Sequence, residues 1–453
     1  MKIDIRKQYP FVLEDIQANF KNNLLYRCSE RKSIAIKSDV WEIIKYIDGI
    51  TSFSSIYEEL IRHYQINEDS FYLFMDELKE RRIISFSEEA IFRPIVSVNY
   101  SFPEVVSLVL TDRCNLKCSY CYGNYEPHGN SFLSIEKTKD LIAQLKDIGV
   151  RVLELTGGEP LVHPGFKEIL EFACESFEYI SIMTNGSLFR KEFYDIVSKH
   201  NKKIGIRISV DGMTSTTNDL IRQVKGTKNR TFKAIEKLIN LGVNVGVTYM
   251  MLYENRWELE EFCAYMKKLG LKTIMISAPE DIGRGNSQTF PDGKMISDRT
   301  SECYQEMVNI YTNVSRKYSD IMRFTNDKQT KSNLHLLPNC GAGWKNVSIF
   351  YNGDVQACQL VTDTIKIGNF FHQSIRSIFI DNEVVDFFST IRFSPEKAKA
   401  CLKCDSVSFC GKCIIKIMIV NKRRIDNGQA ICNTAINNKI TENIINKYLN
   451  NAN

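Results

Sequence analysis

Between residues 105 and 277, short apolar runs at 105–110, 152–155, 179–183, 204–210, 243–250 and 273–277 alternate with amphipathic stretches that begin near Ser134, Pro164, Lys191, Thr231 and Asn255. Apolar runs of this length read as buried strands, and the stretches between them carry helical spacing. Strand followed by helix, repeated, predicts a parallel sheet with right-handed crossovers. Six such units, where a closed barrel has eight, fit an open α/β barrel.

The N-terminal part follows another pattern. Positions 24–28 and 33–37 alternate like two short strands, and Ser38 is placed to cap a helix through Tyr46 that turns Val40, Trp41, Ile43, Ile44 and Ile47 inward. Residues 54–64 and 69–82 predict two more amphipathic helices, with Ile56, Leu60 and Ile61, then Phe71, Phe74, Met75 and Leu78, on one face each. A hairpin-like end at Ile83-Ile84-Ser85-Phe86 completes a winged-helix-like α+β shape. Such a shape can bind DNA, but its third helix mixes Asp69, Asp76, Glu77 and Glu80 with Lys79, Arg81 and Arg82, which is unsuited to phosphates.

Composition changes this picture little. The 453 residues, 43% hydrophobic and 25% charged, suit two or three domains with substantial cores. No run approaches a membrane span, and Met1-Lys2-Ile3-Asp4-Ile5-Arg6 has no apolar signal region, so a cytoplasmic location is expected. The net charge of +5 is scattered among acids, which argues against nucleic acid or membrane as partner.

Cysteine changes it most. Fourteen cysteines without a secretion signal point to metal sites rather than disulfides. Cys114, Cys118 and Cys121 lie on one loop after the first barrel strand, where α/β folds place their chemistry. Three thiolates can hold three irons of a 4Fe-4S cube and leave the fourth open. Zinc would want a further ligand, for which only His128 is near. A second field holds Cys340, Cys358, Cys401, Cys404, Cys410, Cys413 and Cys432, with paired zinc knuckles as the competing reading. Cys28, Cys174, Cys263 and Cys303 stand alone and read as buried structural thiols.

The loop from Thr111 to Tyr122, with its CxxxCxxC spacing, resembles the signature of the radical S-adenosylmethionine enzymes. Further motifs at successive predicted strand ends are similar to that family: Gly157-Gly158-Glu159, Thr184-Asn185-Gly186, Ser209-Val210-Asp211, and Arg222. The resemblance implies an open (β/α)6 partial TIM barrel. It also implies a cube on Cys114, Cys118 and Cys121 whose fourth iron binds S-adenosyl-L-methionine. Tyr120, Gly157, Gly158, Glu159, Thr184, Asn185, Ser209 and Asp211 would contact that cofactor, and Arg222 would pair with its carboxylate, although Asn218 stands where the family often has histidine. Pro279 to Gly285 is like the family's closing segment.

The second cysteine field resembles the SPASM domain, which implies two auxiliary 4Fe-4S clusters and three clusters in all. One would take Cys401, Cys404, Cys410 and Cys432; the other Cys340, Cys358 and Cys413, its last iron open. Gly411-Lys412 is one residue shorter than the family's usual spacing. The N-terminal stretch around Trp41 to Gly49 looks like the small recognition domain that captures a precursor's leader by adding a strand to a sheet edge. The implied divisions are 1–95 for leader recognition, 96–290 for the barrel, 291–335 for a bridge and 336–453 for the auxiliary clusters. The implied function is a peptide maturase that makes a 5'-deoxyadenosyl radical and closes a thioether, fed by an electron donor such as flavodoxin or ferredoxin. Carbon–carbon cross-linking, epimerisation and sulfatase maturation are the alternatives in that class, and a zinc-bearing nucleic-acid or scaffold protein lies outside it. No acid–base residue is assigned.

Overall fold

The computed structural model describes residues 5–20, 23–30, 32–93, 95–98, 102–279, 282–296, 301–324, 341–360 and 366–390. The N-terminal part runs β1 (Tyr9–Val12), β2 (Ile16–Asn19), β3 (Leu24–Arg27), β4 (Lys32–Ala35), α1 (Ser38–Ile44), α2 (Phe53–Leu60), α3 (Glu68–Glu80), β5 (Ile84–Ser87) and β6 (Val96–Ser97). Strands β4, β3, β2 and β6 form one sheet in that order, which leaves β4 at an edge. The end of this part is not a hairpin: β5 pairs antiparallel with β1, a strand whose proline disguised it in sequence.

Two further expectations are corrected. The first helix has Lys37, not Ser38, at its cap position, with no side-chain cap bond, because Ser38 is already helical. Ile61 is 45% exposed, since α2 stops at Leu60 and the chain turns away from the core. The remaining inward positions behave as their spacing requires: Val40, Trp41, Ile44, Ile47, Phe53, Ile56, Leu60, Phe71, Met75 and Leu78 form one buried cluster. Ile43 and Phe74 pack half-buried at its margin.

The six expected barrel strands are β7 (Val105–Val109), β8 (Val152–Thr156), β9 (Tyr179–Thr184), β10 (Ile204–Val210), β11 (Asn244–Met250) and β12 (Ile274–Ser277), all parallel. Between them lie α4 (Ile135–Asp147), α5 (Phe166–Ser176), α6 (Lys191–Lys199), α7 (Ser215–Arg222), α8 (Thr227–Asn240) and α9 (Leu259–Lys268). Ser134 caps α4 by accepting from Lys137 N, and Phe166, Ile169, Leu170 and Ala173 give α5 a continuous buried face. Helix α7 was not expected, because its buried residues include Asn218 and Arg222 and so break the apolar period.

The sheet extends beyond six strands at both edges. After α10 (Glu302–Lys317), β13 (Met322–Phe324) adds parallel to β12. At the other edge β14 (Asn346–Phe350) lies parallel to β7 and continues antiparallel into β15 (Asp354–Gln356) and β16 (Lys366–Asn369). The short helices α11 (Ile375–Ile378) and α12 (Glu383–Thr390) follow. This edge touches the N-terminal sheet: Ser33 of β4 donates its N–H to Glu104 at 2.8 Å, and its carbonyl accepts from Lys345 at 2.6 Å.

Cys174, Cys263 and Cys303 are buried in the barrel core, as expected of structural thiols, and burial pushes Cys174 up to about 11 and Cys263 to about 12. Cys28 is only half-buried. Among the described residues no helix is long and apolar enough to cross a membrane. Cys340, Cys401, Cys404, Cys410, Cys413 and Cys432 lie outside the described residues.

Candidate cofactor site at the strand ends

The cysteine loop leaves β7 and is tied down by its own backbone. Thr111 Oγ1 donates to Ser131 O at 2.7 Å and accepts from Arg113 N at 3.0 Å, and Cys114 N donates to Glu126 O. Lys117 N and Ser119 N donate to the carbonyls of Arg222 and Ile221, which seats the loop on the last turn of α7. From the far side Arg284 donates through Nε to Cys118 O and through Nη2 to Tyr125 O, both at 2.8 Å. A Cβ on Gly283 would meet Tyr122 O at 2.3 Å, so the segment after β12 closes on the loop only with glycine there.

The three thiols face one cavity of about 200 Å³. Its wall also holds Tyr120, Gly157, Gly158, Thr184, Asn185, Ser209 and Arg222, so seven of the nine residues expected around the cofactor meet there. The other two, Glu159 and Asp211, are fully buried behind the wall. Glu159 Oε1 accepts from Thr184 Oγ1 at 2.7 Å and Leu161 N at 3.1 Å, and Oε2 accepts from Asn185 N at 2.7 Å. The carboxylate therefore braces two cavity residues from beneath. Burial pushes it up to about 7 against those donors.

The glycines are sterically required. Gly157 has φ +139°, and a Cβ on Gly158 would lie 2.3 Å from Arg113 O. Gly158 N and Glu159 N donate to the carbonyls of Thr111 and Arg113, so the turn after β8 is laced to the cysteine loop with no room for a side chain.

Arg222 lines the charged end of the cavity and Asp211 backs it from behind the wall, their side chains 3% and 0% exposed. Arg222 Nε lies 2.8 Å from Asp211 Oδ2, which also accepts from Tyr120 OH at 2.8 Å. Three atoms of the pair make no hydrogen bond in this dry setting, Asp211 Oδ1 and Arg222 Nε and Nη2, although Nε stays in ion-pair range of Asp211 Oδ2. Burial raises the Asp211 carboxyl against the pull of Arg222. Asn218, where the family often has histidine, accepts from Asp211 N and donates to Thr227 Oγ1, so it holds the backbone rather than the cavity.

Several site residues escaped the sequence reading. Asn115 donates to Ser187 Oγ and accepts from Asn185 Nδ2, linking the cysteine loop to the end of β9. Gln359 reaches the cavity from beyond β15 and accepts from Tyr122 OH at 3.0 Å. Its neighbour Cys358 is thus the auxiliary-field cysteine that the described residues include, one position from the cofactor wall.

The donors fit the implied groups. The three thiols line one cavity, a donor set that can hold three irons of a 4Fe-4S cube and leave the fourth open. Burial, followed by Glu159, holds Cys114 well above the usual thiol range, and burial pushes Cys118 to about 11, so iron must displace protons to bind. The unpartnered Arg222 Nη2 belongs to a residue of the cavity wall and fits the carboxylate of a ligand beside the thiols.

The open parallel barrel, cysteine loop and braced strand ends define a radical S-adenosylmethionine fold. A family model for the Radical SAM superfamily matches residues 108–266, and one for the SPASM iron-sulfur cluster-binding domain matches residues 340–405. The chain carries both domains, the first of which binds S-adenosylmethionine and a 4Fe-4S cluster and the second auxiliary iron–sulfur clusters. It is 28% identical to the antilisterial bacteriocin subtilosin biosynthesis protein AlbA of Bacillus subtilis, over 97% of this chain and 98% of that one. It is 25% identical to the sporulation killing factor maturation protein SkfB of the same organism, over 78% and 80%. Streptococcus suis SuiB bound to S-adenosylmethionine shares the fold with a TM-score of 0.55 at 16% identity, over 90% of this chain and 96% of that one. The anSMEcpe structure with bound AdoMet does so at 0.53 and 15%, over 76% and 96%.

Proposed function

We propose that this chain is a radical S-adenosylmethionine peptide maturase that closes thioether cross-links in a ribosomal precursor peptide. The observation that carries this reading is the convergence of three thiols, a glycine-lined turn and the half-satisfied Arg222, backed by Asp211, on one cavity at the strand ends. Bound there, a reduced cluster and S-adenosylmethionine supply a carbon radical able to remove hydrogen from an unactivated carbon. The protein's own residues bind and orient. Arg222 offers Nη2 to a carboxylate, Asp211 holds Arg222 from behind the wall, and Glu159 keeps Thr184 and Asn185 in place. Tyr120 fixes Asp211, and the Arg284 strap holds the loop against movement and water.

The relatives support a peptide substrate. AlbA and SkfB carry the names of peptide biosynthesis and maturation proteins, and SuiB has been solved with its precursor peptide SuiA. The N-terminal part supplies a place for a leader. A groove of about 550 Å³ lies between α1 and α3, lined by Val40, Ile43, Tyr64, Ile66, Leu73 and Phe74, with Leu73 67% exposed. The strand before α1, β4, is an edge strand of the described sheet, open to strand addition except where Glu104 and Lys345 hold Ser33. Cys358, Cys340 and Cys413 would hold an auxiliary cluster with an open iron for the substrate thiol, while Cys401, Cys404, Cys410 and Cys432 complete the other. The reducing electron comes from a flavodoxin or ferredoxin.

The test is mass spectrometry of precursor incubated with reconstituted enzyme, S-adenosylmethionine and dithionite. A product lighter by two hydrogens per bond, with thiols that resist alkylation, supports the thioether. Loss of hydrogens with every thiol still alkylated would replace it by carbon–carbon cross-linking.

A further inference from the structure

A second cleft, of about 540 Å³, opens beside the cysteine loop at the first turns of α5 and α6. Cys114 lines both this cleft and the cofactor cavity, so a single residue of the cluster loop stands between them. At its mouth Arg113, Lys167 and Arg190 are exposed. Lys167 pairs with Glu171 at 3.0 Å, whereas Arg113 and Arg190 have no side-chain ion pair or hydrogen bond among the described residues. Helices α5 and α6 begin here without a side-chain cap, and their N-terminal ends add partial positive charge. Glu192 is the sole acid in the described lining.

The peptide must enter the cofactor cavity, because the hydrogen to be removed has to reach it. A protein that delivers an electron in the presence of the peptide therefore needs another approach to the same loop. The cationic cleft provides one, and its charge selects for an acidic surface.

We infer that this cleft is the docking surface for an acidic one-electron carrier protein that reduces the cluster held by Cys114, Cys118 and Cys121. The inference rests on the function proposed above. One electron leaves the carrier, which is oxidised by one, and enters the cluster, which is reduced by one; no bond changes and no proton crosses the interface. Arg113, Lys167 and Arg190 do no chemistry here and serve only to gather and orient the carrier.

The test compares two reductants on the reconstituted holoenzyme: photoreduced flavodoxin of strongly negative net charge, and dithionite. For the variant Lys167→Glu with Arg190→Glu, cofactor cleavage driven by flavodoxin should show a KM for flavodoxin raised about tenfold or more, and a weaker dependence on salt, while cleavage driven by dithionite stays at the parent rate. The milder pair Lys167→Ala with Arg190→Ala should give about a threefold rise in the same direction. Carbodiimide coupling of flavodoxin carboxylates to the parent holoenzyme, read by peptide mapping, should land on Lys167. An unchanged flavodoxin KM, an equal loss with both reductants, or coupling confined to other lysines overturns the assignment. If the parent enzyme cleaves no cofactor even with dithionite, the proposed function fails, whereas the coupling site still decides the docking surface.

Discussion

Between the end of β10 and the last turn of α7 the chain buries a charged pair and leaves Asp211 Oδ1 and Arg222 Nε and Nη2 without hydrogen bonds. At the outer edge of β4 it does the reverse, engaging an edge-strand N–H and carbonyl with Glu104 and Lys345, which themselves sit 3.5 Å apart. Unpartnered polar atoms in a dry cavity cost stability and persist where a ligand completes them. An edge strand's free N–H and carbonyl invite pairing with another chain, and at Ser33, itself buried, Glu104 and Lys345 block it. The strand-end site thus presents Arg222 ready for the carboxylate of a small ligand, whereas the edge is guarded and must be opened by whatever pairs with it.

The most severe way to break the strand-end side is to remove its thiols. Replacing Cys114, Cys118 and Cys121 together with alanine should remove about four irons per chain and abolish cofactor cleavage, measured by iron assay and by 5'-deoxyadenosine formation. Cleavage that survives would refute the site. Next in size is Arg222→Leu, which strands the fully buried Asp211 carboxylate. It should lower stability by about 3–5 kcal/mol and weaken S-adenosylmethionine binding by roughly a hundredfold. Adding Asp211→Asn should restore most of the stability in a denaturant titration and little of the binding. If both recover together, the pair is structural and its unpartnered atoms have no ligand.

Much of this contrast was legible in sequence, and the part that was not has physical causes. The six barrel strands announced themselves because parallel strands buried on both faces leave apolar runs that need no tertiary context. Glycine at 157 and 158 and cysteine at 114, 118 and 121 were equally plain, since backbone approach and metal ligation tolerate few substitutes. Strands β13 and β14 were hidden, because their partners β12 and β7 are distant in sequence and the strands are short. Helix α7 was hidden by burying Asn218 and Arg222 where a period-seeking eye looks for leucine. Glu159 was found by motif, but a motif gives position and not direction: it points behind the wall, as a brace. Nothing local marked Gln359 or the Glu104–Ser33–Lys345 cap, which depend on how distant segments meet.

Glu159 gives the contrast a pH signature. Its carboxyl has an ordinary value of 4.5 and is pushed up to about 7 by burial. Between those limits the folded chain holds a proton that the unfolded chain has released, so metal-free protein should lose stability as pH rises through the window. The parent should fall by about 3 kcal/mol across it, measured by urea unfolding at stepped pH. Glu159→Gln should flatten that slope and lower stability at acid pH by about 1–3 kcal/mol, because an amide N–H then confronts Asn185 N–H. A slope unchanged in the variant would assign the titration to another group.

The smallest effect tests the guarded edge. If a leader adds to β4, it must displace the contacts of Glu104 and Lys345 with Ser33 over part of its length. These are charge-assisted bonds, but Lys345 and Glu104 are both partly open to solvent, so removing them should release only about 1 kcal/mol of competition. Glu104→Ala with Lys345→Ala should therefore bind leader peptide about fivefold more tightly by calorimetry, while dithionite-driven cofactor cleavage stays unchanged. Leu73→Glu, which puts a charge into the exposed apolar groove, should weaken the same leader without touching the edge. If the double alanine variant binds no tighter while Leu73→Glu still binds more weakly, the leader lies in the groove between α1 and α3 and does not extend the sheet past Ser33. The cap is then a permanent joint between the N-terminal sheet and the barrel rather than a guard.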